Sequence, residues 1–147
     1  MKKNILYTAT MSLLFMFIIS FAYGGASDSA RDGQQIVDKS NFMIDEGQKL
    51  KDTQNPDRAW LSQQGQLINK QGMDAMNSGR VMKTLEGVRN MQRIGQMLRQ
   101  FGNLLLDIGN QKGEVTPEEN EKIIKQRDVL QNFGKMMLRK GQIMGGD

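Results

Sequence analysis

The chain of 147 residues contains no cysteine and no histidine. Without thiols there are no disulfides, no thiolate metal sites and no dithiol redox chemistry. Without imidazole, Ser-His-Asp triads, histidine zinc sites and histidine-ligated haem are excluded too. Aromatic residues are few: one tryptophan, two tyrosines and six phenylalanines. Binding of single-stranded nucleic acid needs several exposed rings for bases to stack on, so this composition argues against it. No EF-hand ligand spacing or phosphate-binding glycine pattern occurs. Paired carboxylates such as Asp45-Glu46 and Glu118-Glu119 point in different directions on a helix. General acid–base chemistry needs carboxylates held together in a shielded cleft, so no enzymatic activity is expected.

What the chain does have begins with its N-terminus. Met1-Lys2-Lys3 precedes an apolar run from Ile5 to Tyr23, which closes in Ala22-Tyr23-Gly24. Basic, then apolar, then small-x-small is the order of a secretory signal peptide, with a cut after Gly24 or, alternatively, Ala26. The competing reading is an uncleaved anchor, because the run approaches bilayer-spanning length. Thr8, Thr10 and Ser12 shorten its strongly apolar part, and no basic stop-transfer cluster follows. The expectation is a signal peptide over residues 1–24 and a single helical domain over 25–147, periplasmic or secreted from a bacterium. A membrane would then be met only through the signal segment, were it left uncleaved. Loss of Lys2 and Lys3 lowers the formal net charge from +4 to +2, so no nucleic-acid partner is expected.

Apolar spacing in the remainder predicts four amphipathic helices and no strands. The first covers about Ser29 to Asp52, with Ile36, Met43, Gly47 and Leu50 on one face. A second runs from about Pro56 to Ser78, opened by Asn55-Pro56-Asp57, in which Asn55 is the expected cap. The third spans about Arg80 to Gln111, and Asn77-Ser78-Gly79 is read as the turn before it. One long kinked helix is the alternative there. Thr116-Pro117-Glu118-Glu119 is a capping box opening the fourth, to about Met144, in which Ile123, Leu130, Met137 and Met144 recur every seventh residue. The fold expected is an all-α antiparallel bundle of four helices, or an assembly of helical hairpins, after the signal peptide.

Glycines also recur at sevens: Gly65, Gly72 and Gly79; Gly95, Gly102 and Gly109; Gly134 and Gly141. A glycine inside a helix costs about 1 kcal/mol relative to alanine, so the repetition calls for a reason. Close packing within the bundle is the preferred explanation, and a self-association seam the second.

Methionine is the only soft ligand left. Thioethers favour Cu(I), and by extension Ag(I), over zinc or magnesium. In an up-down-up-down bundle Met73, Met76, Met82, Met136, Met137 and Met144 fall within about 12 Å of one end, at roughly 1.5 Å per residue. Methionine is equally a flexible core filler and suits adaptable binding surfaces. The leading expectation is a non-enzymatic, cofactor-free interaction protein (scaffold, adaptor or chaperone-like) that meets a protein partner or a second copy. The alternative is a methionine-rich Cu(I)- or Ag(I)-binding protein, with copper as cofactor on those six residues. A third possibility is a lipid-surface role for the basic third helix, with Arg80, Lys83, Arg89, Arg93 and Arg99.

Overall fold

The computed structural model describes residues 2–53 and 55–146, with side chains from Ser27 onward. It is all-helical, with four helices and no strand among the described residues. They are α1 (Lys2–Asp52), α2 (Arg58–Val81), α3 (Leu85–Gly109) and α4 (Pro117–Gly145). The expected export segment, residues 1–24, lies outside the residues whose side chains are described. From Ser27 onward no helix is long and apolar enough to cross a membrane.

Local chemistry accounts for the helix starts. At α4 the capping box forms as the sequence predicts: Glu119 N–H donates to Thr116 Oγ1 (3.2 Å), and Thr116 N–H donates to Glu119 Oε2 (2.8 Å). At α2 the cap is Asp57 rather than Asn55, and its carboxylate accepts from Trp60 N–H at 2.7 Å. Asn55 instead takes a left-handed conformation (φ 51°), which its short amide side chain tolerates. The second and third helices are separate, as expected, but the break lies at Met82-Lys83-Thr84, not at Asn77-Ser78-Gly79. Thr84 caps α3 by accepting from Gly87 N–H at 2.9 Å. The first helix begins at Lys2 rather than Ser29; no proline between them removes a backbone donor.

The helices associate as two antiparallel pairs, α2 with α3 and α1 with α4, and glycines occupy the line of closest approach in each. A β-carbon added at Gly65 would lie 2.8 Å from the Gly102 carbonyl oxygen, and one at Gly102 would lie 2.9 Å from that of Gly65. Gly72 and Gly95 face each other in the same way, each 2.8 Å from the other's carbonyl. Gly109 lies against Arg58 and Ser62. In the second pair Gly33 meets Gly141, and Gly134 meets Ser40, whose hydroxyl donates back to the Ile36 carbonyl at 2.6 Å. Gly47 lies against Gln131. Backbone therefore touches backbone, which permits Cα–H···O contacts and offsets the helix-propensity cost of glycine. The glycine strips are consumed by packing within the chain.

Between the two pairs lies one apolar core. Helix α3 contributes most of it through Met91, Ile94, Leu98, Phe101, Leu105 and Ile108, and it touches all three other helices. Ile36, Met43, Leu61, Ile68, Leu130 and Met137 complete it, each fully buried. Full burial of one such side chain is worth about 1.5–3 kcal/mol, so this core, not helix propensity, holds the pairs together.

Candidate functional site: an exposed heptad stripe on α4

Side chains able to do chemistry are mostly engaged in holding the bundle. Asp32 of α1 is completely buried. Its Oδ2 accepts from Lys83 N–H (3.0 Å), Thr84 N–H (2.8 Å) and the Thr84 hydroxyl (2.9 Å). One carboxylate thereby fixes the α2–α3 turn to α1 and decides where α2 ends. Its Oδ1 has no hydrogen-bond partner and lies 3.8 Å from Arg31 Nη2.

At the opposite end Arg58 is largely buried and ion-paired with Glu119 at 2.9 Å. The guanidinium also donates to the carbonyls of Ile108, Gly113 and Glu114. These bonds tie the start of α2 to the end of α3 and the start of α4. Hydrogen bonds from Arg58 and from the Thr116 backbone hold the Glu119 carboxyl below the usual carboxylate range. An open cleft of about 680 Å³ lies beside this clamp, lined by Asn55, Pro56, Gly113, Val115, Pro117 and Asn120. The cation at its wall already has its donors directed at protein oxygens.

Glu46 is the third such group. Burial is the main cause that raises its pKa above the usual value; Lys49, at 3.8 Å, pulls the other way and Asp45 adds to the rise. Lys49 donates to Gln64 Oε1 of α2 at 3.0 Å. Among the described residues no group of three or more acidic side chains is arranged to hold a metal ion.

The six methionines that sequence reasoning gathered at one end have different environments. Met82 and Met137 are buried in the core, and Met144 packs against it. Met73 and Met136 are exposed, on the outer faces of α2 and α4. The thioether of Met76 accepts from Arg99 Nη1 and that of Met144 from Asn90 Nδ2, both at 3.9 Å. Thus Met82, Met137 and Met144 share the core side of the bundle, and Met73 and Met136 stand apart from it.

Helix α4 carries the least expected feature. Beside its inward heptad line (Ile123, Leu130 and Met137, buried, and Met144, partly so) runs a second line one residue earlier: Val129, Met136 and Ile143. These side chains are 46%, 45% and 74% exposed, and Ile124 adds another apolar group at 40%. Half-buried Phe133 lies between Val129 and Met136. Basic residues flank the line: Lys125, Lys135, Arg139 and Lys140. Of the acids nearby, Asp128 pairs with Arg127 at 2.8 Å and Glu121 with Lys125 at 3.7 Å. The sequence showed this stripe as plainly as the buried one, because both have the same period.

No family model, no curated protein and no solved structure matches the chain.

Proposed function

We propose that the protein is an exported, non-enzymatic interaction module of the bacterial cell envelope, a helical domain over residues 25–147 behind a signal peptide. Through α4 it engages the apolar face of a partner helix with acidic flanks. The observation that carries this reading is the exposed Val129–Met136–Ile143 line. A row of apolar side chains at seven-residue spacing is what one helix offers another in a coiled-coil seam, and methionine at its centre adapts to varied partners. Basic flanks disfavour a second copy of the same stripe and favour an acidic one, because like charges across a seam are costly.

The test is photo-crosslinking of the full chain in expressing cells, with a benzophenone side chain at Val129 or Met136 and, as control, at exposed Gln96 of α3. A discrete adduct from α4, absent from Gln96 and lost in Lys135→Glu/Arg139→Glu, is the expected outcome. Adducts no different from the control overturn the reading.

The second reading is Cu(I) or Ag(I) binding by thioethers among Met73, Met76, Met82, Met136, Met137 and Met144. What favours it is the lack of any thiol or imidazole to compete for a soft cation, with Met82, Met137 and Met144 on the core side as the subset to test first. A Cu(I) competition titration decides it: no binding tighter than micromolar, or binding unchanged in Met82→Leu/Met137→Leu/Met144→Leu, removes it.

A further inference from the structure

Two ends of the bundle differ in charge and in apolar exposure. Ser29 of α1 donates to the Met144 carbonyl at 3.0 Å, and Asp32, one turn on, holds Lys83 and Thr84. The α2–α3 turn, the end of α4 and residues 29–32 of α1 are therefore together at one end. Arg80, Lys83, Arg139 and Lys140 lie at that end without an acidic partner within 4.0 Å among the described residues, whereas Arg31 sits near Asp28 and Asp32. At the far end Asp52, Asp57, Asp107, Glu114, Glu118, Glu119 and Glu121 only modestly outnumber Lys51, Arg58, Lys112, Lys122 and Lys125. Glu86, in the first turn of α3, is a further acid at the near end, where the basic residues still prevail; the far end is mixed with a slight acidic excess.

Three of its most exposed apolar side chains also lie at the basic pole. Val81 closes α2 at 69% exposure, Leu85 opens α3 at 78%, and Ile143 is near the end of α4. Single exposed apolar residues are ordinary on protein surfaces. Here they flank the basic turn. An anionic bilayer attracts basic residues electrostatically and accepts apolar side chains at its headgroup boundary.

We propose that the basic pole is a membrane-docking surface, which seats Val81 and Leu85 at the headgroup level of an anionic phospholipid bilayer with Arg80 and Lys83 on the lipid phosphates. This is independent of the α4 stripe, most of which lies along the side of the bundle. Seated this way, the bundle stands on the membrane and presents α4 sideways to a partner.

The experiment uses the full chain as expressing cells process it, with Leu85→Trp as reporter in a Trp60→Phe background. It is mixed with vesicles of phosphatidylglycerol and brominated phosphatidylcholine. Bromine quenches only a nearby indole, so the reporter should be quenched and blue-shifted, and Val81→Trp should behave alike. Native Trp60, about 30 Å away at 1.5 Å per helical residue, should stay unquenched in the parent chain. Each basic residue at an anionic surface is worth about fivefold in partitioning, so Arg80→Gln/Lys83→Gln should weaken it about thirtyfold. Circular dichroism checks that each variant folds. No association with the vesicles overturns the proposal. So does association without quenching at both positions, as a tether through residues 5–23 alone would give. Equal quenching in purely neutral vesicles, or in the Arg80→Gln/Lys83→Gln chain, also overturns it.

Discussion

Replacing Gly102 by alanine tests the glycine seams directly, because on an ordinary helix surface the same change stabilises. Alanine in a helix interior is favoured over glycine by about 1 kcal/mol. At Gly102 the new methyl would lie 2.7 Å from Asn69 N, 2.9 Å from Gly65 O and 3.0 Å from Asn69 Cα. All three are backbone atoms of α2, so no rotamer change relieves the contact and the helices must separate. Inserting a methyl into a packed interior costs about 1–3 kcal/mol, and the upper end applies where only backbone can yield. The net expectation is a loss of about 2 kcal/mol, or a fall of about 8 °C in Tm at roughly 4 °C per kcal/mol for a chain of this size. Gly145→Ala is the control, since nothing lies within 4 Å of a β-carbon there; it should be neutral or slightly stabilising. Urea and thermal unfolding followed at 222 nm measure both. A Gly102→Ala chain as stable as the parent would refute the close approach of α2 and α3.

Asp32→Ala removes the acceptor shared by the part-buried Lys83 and Thr84 amides, and partial burial puts the loss at the lower end of the about 1–3 kcal/mol for an unsatisfied group; amide hydrogen exchange at these two residues should accelerate far more than at Leu98. The Glu119 carboxyl has a lowered pKa in the fold, so its contribution is present above the usual carboxylate value and fades as pH falls through the depressed one. Glu119→Gln should be less stable at neutral pH and should flatten the acid limb of a Tm-against-pH curve. Glu46 behaves oppositely: with a raised pKa its proton is favoured in the fold, so stability declines as pH climbs from the ordinary carboxylate value to the raised one. Glu46→Gln should therefore raise Tm at pH 7 relative to the parent, with the gap closing near pH 4 in the same scans.

Much of the fold was legible because its determinants are local. Thr116, Pro117 and Glu119 write the start of α4 within four residues, and the apolar period of α3 is unbroken from Met91 to Ile108. Where the reading went astray, a distant residue decides. Gly79 looks like a turn beside Asn77 and Ser78, yet it continues α2, where a β-carbon would come within 3.3 Å of Met91. The true stop is set by Asp32, 51 and 52 residues away in the chain from the two amides it binds. The seam of α1 with α4 reads Gly33, Ser40, Gly47 along α1, a seven-residue strip that becomes visible once serine counts as small. The outer line of α4 has the same seven-residue period as the inner one, so spacing alone does not say which of the two faces solvent. Which methionines face the core depends on helix rotation, which spacing within one helix does not determine.

The pairing order has a consequence for the sequence of events in folding. Helices α2 and α3 are joined by a three-residue turn, so their seam closes with little loss of chain entropy. Helix α1 pairs instead with α4, and Ser29 reaches Met144 across 115 positions. Closing so large a loop comes late, since its entropic cost precedes the contacts that reward it. Helix α1, earlier in the chain, must wait for α4. Until α4 is in place, the small-residue face of α1 (Gly33, Ser40, Gly47) has nothing to close on, so the two helical pairs mature in sequence.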